Sequence, residues 1–206
     1  MMRQTMAHVA QEALREGKRP SGDGARNSLP ARIAKGPTAA DVWIDGNLGF
    51  ALVVHRRDDG CLAEELYYSI RAATGDWLDC DQLSGGTLAF DLADFAAVAS
   101  ALTDCPMAVV SESEALVYTG SEHEEEGYEA VRVLTVLVGE SPDFIDFDIR
   151  TQEPDAQVGH LSKEVTSPLM LAVVRAGQRL TVTAMKRENS SLVRNGDTME
   201  FTWLTP

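Results

Sequence analysis

Apolar residues recur at every second position along most of this chain, the period that puts one set of side chains on each face of a β-strand. In "RLTVTAMK", Leu180, Val182 and Ala184 alternate with Thr181 and Thr183. In "CLAEELYYSIRA", Leu62, Leu66, Tyr68, Ile70 and Ala72 share one face, with Glu64 as the exception. "FALVV" is apolar on both faces and predicts a central strand. Further strands are expected at "VWI", "MAVVS", "ALVYT", "EAVRVLTVLVG", "FIDFDIR", "LMLAVVR", "SSLVR" and "TMEFTWL". Between them, "DGN", "DDG" and "LSGGT" read as turns, because Asp-Gly and Gly-Gly pairs tolerate the positive φ that tight turns demand. The strongest hairpin signal is the "NGD" of "SSLVRNGDTMEFTWL", with Met199, Phe201 and Trp203 on the inward face.

The helical period surfaces twice. Residues 2–16 place Met6, Val9, Ala10, Ala13 and Leu14 on one stripe. The segment that follows, with Pro20, Pro30 and Pro37, reads as a flexible linker, so the short helix is expected to be a loosely attached tail. A second helix is expected over 91–103, with Asp91 as N-cap, Asp94 in its first turn and a buried stripe of Leu92, Phe95, Val98, Ala99 and Leu102. Pro106 ends it. The fold class that follows is mainly β, α+β in its N-terminal half: antiparallel sandwich or barrel-like sheets, one packed helix near 91–103 and a short N-terminal helix. The expected organisation is residues 1–40 as helix and linker, 41–105 as an antiparallel meander plus helix, and 106–206 as a sandwich-like region, with 41–206 as a single domain the alternative.

Charge narrows the functional classes. The net charge is −14, and residues 1–40 carry seven basic against three acidic residues, which leaves the rest of the chain at −18. Nucleic-acid affinity comes from Lys and Arg neutralising phosphates, so an acidic body speaks against nucleic acid as a partner. It suits a basic protein partner, or simply solubility. No apolar run is long enough to span a bilayer, and no signal-peptide pattern opens the chain, so a cytoplasmic location is expected. Cys61, Cys80 and Cys105 are widely spaced and show neither zinc-ligand nor disulfide patterning.

No phosphate-binding loop, nucleophile elbow or metalloprotease motif is present in the sequence. No cofactor and no metal are therefore expected. Candidate chemistry falls in three places. "TGSEHEEEGYEA" concentrates Glu122, His123, Glu124, Glu125, Glu126 and Glu129 between two strand signals, as a partner-binding acidic loop or a solvated cap. Ser121 with Glu124 fits a capping box, and Gly127 a helix stop, so the loop reads as one helical turn closing a hairpin. "SPDFIDFDIR" puts Asp146 and Asp148 on one strand face, and "DWLDCDQ" sets Asp79 and Asp81 beside Trp77. Both pairs are candidates for contact with a ligand or cation, against the plainer reading of an acidic outer face. His55 closes an apolar strand, and the plain reading has it emerging into solvent. The function these features favour is a non-enzymatic acidic binding or regulatory protein, for instance an immunity- or inhibitor-type protein that neutralises a basic effector. A carboxylate- or histidine-dependent hydrolase and a structural, self-assembling subunit, hence a homo-oligomer, are the alternatives.

Overall fold

The computed structural model describes residues 2–17, 28–119, 127–152 and 157–203. Its antiparallel strands form two four-stranded sheets and one three-stranded sheet, with no closed barrel. The elements, in chain order, are α1 (Met2–Glu16), α2 (Ser28–Ile33), β1 (Thr38–Asp45), β2 (Leu48–Arg56), β3 (Leu62–Ile70), β4 (Asp81–Thr87), α3 (Phe95–Leu102), β5 (Met107–Tyr118), β6 (Tyr128–Val138), β7 (Phe144–Thr151), β8 (Gln157–Glu164), β9 (Leu169–Arg175), β10 (Gln178–Glu188) and β11 (Ser191–Thr202). The chain divides into two compact units, residues 1–98 with 166–171, and residues 99–165 with 172–206.

The first unit is built on the sheet β1-β2-β3-β4. β2 is its most buried strand, as "FALVV" predicts, since a strand paired on both sides and covered on both faces has no place for polar side chains. One face carries α1: Met6, Ala10, Ala13 and Leu14 pack with Ala39, Val42, Ala51, Val53, Tyr67 and Trp77. The helix is therefore docked rather than a loose tail. Two details seat it. The Trp77 indole Nε1 donates to the Leu14 carbonyl at 2.8 Å. Gly49 leaves the space beneath, where a Cβ would come within 2.7 Å of the Trp77 ring and 2.9 Å of Leu14. The stretch read as linker contains the single-turn α2, whose Leu29 and Ile33 are buried. "LSGGT" is not a turn but part of strand β4, its glycines paired with Glu64 and Glu65 of β3. The returning segment 166–171 is held by the buried Asp41 carboxylate, which accepts from the Leu171 amide at 2.8 Å.

The second unit contains the sheet β11-β10-β7-β8 and the hairpin β5–β6, together with residues 172–175 of β9, the strand that neighbours β6 in its sheet. Leu180, Val182 and Ala184 of β10 and Ile145 and Phe147 of β7 are fully buried, as their alternation requires. Opposite them, Met199 and Phe201 pair with Val182 and Leu180 on the inward face. The Asn-Gly signal is a correction. "NGD" makes no hairpin; β11 runs straight through it, and the register shift against Thr183–Met185 marks a bulge there. Gly196 sits at φ 85°, which satisfies the same backbone preference inside a strand that it would in a turn. The real β10–β11 turn lies at Asn189, at φ 56°. "MAVVS" and "ALVYT" likewise merge into the single strand β5.

The helix expected over 91–103 is shorter and less buried than its pattern implies. α3 begins after Asp94, whose Oδ1 accepts from the Ala96 and Ala97 amides at 3.0 and 3.1 Å, so Asp94 and not Asp91 is its N-cap. Leu92 and Leu102 are buried, but Phe95 is 65% exposed and Ala99 is exposed. A helix of two turns has too narrow an apolar stripe to bury all five residues at once.

Candidate functional site

The β5–β6 hairpin brings the segments on either side of the acidic loop into cross-strand register. Tyr118 pairs with Tyr128, Leu116 with Ala130 and Glu114 with Arg132, so these side chains share one face. At the base of the hairpin that face is closed, with Leu134 and Val136 buried. Toward the tip it opens. Leu116 is 68% exposed, Tyr118 46% and Tyr128 48%. The two rings meet edge to face, centroids 5.3 Å apart and planes at 62°. Next to this apolar patch, Arg132 bridges Glu112 and Glu114, its Nε donating to Glu112 at 2.6 Å and lying 3.6 Å from Glu114. One cation shared by two carboxylates leaves the row net negative. The chain joining the two tyrosine-bearing strands holds Glu122, His123, Glu124, Glu125 and Glu126, which lie outside the described residues. Glu129 is on the opposite face, where Arg175 donates to its Oε2 at 2.9 Å, so this carboxylate is held by the protein itself.

Asp146 and Asp148 also stand together, on the outer face of the sheet β11-β10-β7-β8. They border an open cleft of about 360 Å3 with Gln157, His160, Thr181 and Thr183. Register explains the grouping: Asp146 lies between Ser162 and Thr183, and Asp148 between His160 and Thr181. Each carboxylate already has an internal donor. Ser162 donates to Asp146 Oδ1 at 2.5 Å, and the Arg150 Nε donates to Asp148 Oδ2 at 2.9 Å. No group of three or more His, Cys, Asp or Glu able to hold a metal ion occurs among the described residues.

Asp79 and Asp81 belong to the first unit and flank Cys80 at the entry to β4. Trp77 beside them is buried core, its ring covered by the Arg71 guanidinium at 4.4 Å. Burial, reinforced by Asp79 and Asp81, pushes the Cys80 thiol up to about 11.

His55 does not emerge into solvent as expected; it is 5% exposed. Its Nε2 lies 3.3 Å from Glu65 Oε1, and the Tyr67 hydroxyl donates to Glu65 Oε2 at 2.7 Å. The alternation along β2 and β3 aims all three at the face that carries α1. A histidine, a carboxylate and a phenol in line could relay a proton, but a general base has to reach its reactant. Sealed as it is, this trio reads as a buried polar packing element. Sequence reasoning missed Glu65 and Tyr67, which fall on the odd-numbered face of β3, opposite the apolar alternation read from the sequence.

No protein-family model, no curated protein and no solved structure matches this chain. No described helix is long and apolar enough to cross a membrane.

Proposed function

We propose that this chain is a non-enzymatic, acidic β-rich protein that binds a basic protein partner through the tip of its β5–β6 hairpin, as an immunity- or inhibitor-type protein does with a basic effector. The observation that carries the reading is the exposed patch of Leu116, Tyr118 and Tyr128, continuous in sequence with a glutamate-rich connection. Tyrosine supplies large, rigid contact area at low entropic cost and is enriched among residues that dominate binding energy. The surrounding carboxylates steer an oppositely charged partner and reject acidic ones. With a net charge of −14, a second copy of the same chain meets electrostatic repulsion, which disfavours self-assembly through this face.

The test is affinity capture from cell extract at low and high salt, followed by mass spectrometry. Proteins retained at about 50 mM salt are expected to be basic and to be lost at about 500 mM, where screening shortens the reach of exposed charges. A quadruple variant with Glu122, Glu124, Glu125 and Glu126 each changed to Gln should lose the same set. Retention that ignores both salt and the variant would overturn the reading.

A further inference from the structure

We propose that the open face of the hairpin tip seats an arginine-bearing segment of that basic partner, with guanidinium groups stacked on the Tyr118 and Tyr128 rings. This deepens the reading above and rests on it. The two rings meet edge to face and remain about half exposed, so they offer aromatic surface to solvent rather than shelter each other. An aromatic face is the negative part of the ring quadrupole, and it attracts a cation placed over it. Leu116, one step along the same strand face, provides an apolar bed for the methylene stem of a long basic side chain. Glu114 is 57% exposed and only loosely held by Arg132, so it has acceptor capacity left for a second donor.

Arginine fits these parts better than lysine. Its guanidinium is planar and weakly hydrated, stacks on aromatic rings and pairs with carboxylates through two parallel hydrogen bonds. An ammonium keeps its water and gains mainly from net charge. The chain makes cation–ring contacts of both kinds internally: the Arg71 and Arg187 guanidiniums lie 4.4 and 5.0 Å over Trp77 and Phe144, and the Lys163 ammonium lies farther out, 5.6 Å over Phe147.

The experiment uses the full chain and two fluorescent peptides of equal charge, octa-arginine and octa-lysine, followed by anisotropy at about 50 mM salt. The arginine peptide is expected to bind about two- to fivefold more tightly, the ratio an exposed cation–π contact supports. Tyr118→Thr with Tyr128→Thr should bring the arginine peptide down to the lysine value and leave lysine binding unchanged. Tyr118→Phe with Tyr128→Phe should keep the preference, since the ring and not the hydroxyl carries it; circular dichroism checks that both variants fold. Equal binding of the two peptides by the native chain, or a preference that survives loss of both rings, overturns the arginine inference and leaves the basic-partner reading standing. Binding of neither peptide overturns both.

Discussion

Cys80 shows how neighbours decide the fate of a side chain. Its thiol, pushed up to about 11 by burial and by Asp79 and Asp81, is almost wholly protonated near pH 8, and a thiol is a poor nucleophile. Cys61 and Cys105 are exposed. Iodoacetamide at pH 8 is expected to label those two in the native protein, and Cys80 only after unfolding; mass spectrometry reads the difference. Asp91 shifts the other way. The Ala93 amide holds its carboxyl below the usual range; burial opposes this, and Arg56 at 2.8 Å adds to it. A folded-state pKa lowered in this way adds stability that is present above the unfolded value of about 3.9. It is lost as pH falls through the folded value. Asp91→Asn should therefore flatten the acid side of the stability profile, modestly, because the pair is well exposed to solvent. Asp94→Ala should cost about 1 kcal/mol as a lost N-cap, and Asp94→Asn should restore most of it, measured by urea unfolding.

Among the elements, α1 depends most on distant parts of the chain. Gly49→Ala forces a methyl into the Trp77 and Leu14 side chains, with an expected cost of about 1–3 kcal/mol and a changed tryptophan emission. Deleting residues 2–16 strips Met6 and Leu14 from the sheet, each worth about 1.5–3 kcal/mol of burial, and should lower the denaturation midpoint accordingly. The stripe on this helix was legible in the sequence, but its docking was not, because the receiving surface is assembled from residues 39–77. β2 was legible as a central strand because burial on both faces leaves no polar position. "NGD" and "LSGGT" were misread for a shared reason. A glycine at positive φ, or a strand glycine beside a crowded neighbour, has the same local chemistry as a turn, and only the partner strand decides between them. Asp146 and Asp148 were legible as one strand face, whereas the threonines and histidine beside them came from register across three strands. The exposed tyrosines escaped notice because β-strands favour tyrosine whether or not it is buried.

At the scale of the molecule, charge and shape divide the work. In the proposed reading, the net charge of −14 would set the sign of what approaches, and the aromatic patch would then decide which of the approaching groups stays. The two contributions separate by salt: raising ionic strength should weaken octa-arginine and octa-lysine alike while the ratio between them changes little, because stacking is short-ranged and escapes most of the screening. Anisotropy titrations at several salt concentrations measure both slopes.

The return of residues 166–171 to the first unit has a consequence for how the protein is made. At the ribosome, the sheet β1–β4 is complete once residue 98 has been synthesised, yet the amide that Asp41 needs is in Leu171, about seventy residues later. At roughly 5–20 residues per second that is a wait of about 4–15 s. During it, the Asp41 carboxylate lacks the Leu171 amide, one of its partners in the finished fold, and β1 lacks the segment that this bond ties to it. The N-terminal sheet is thus expected to lock only after β5 to β8 have been synthesised and β9 has begun, before β10 and β11 exist. A fragment ending at residue 98 should exchange its β1 amides much faster than the full chain does, as hydrogen-exchange mass spectrometry would show.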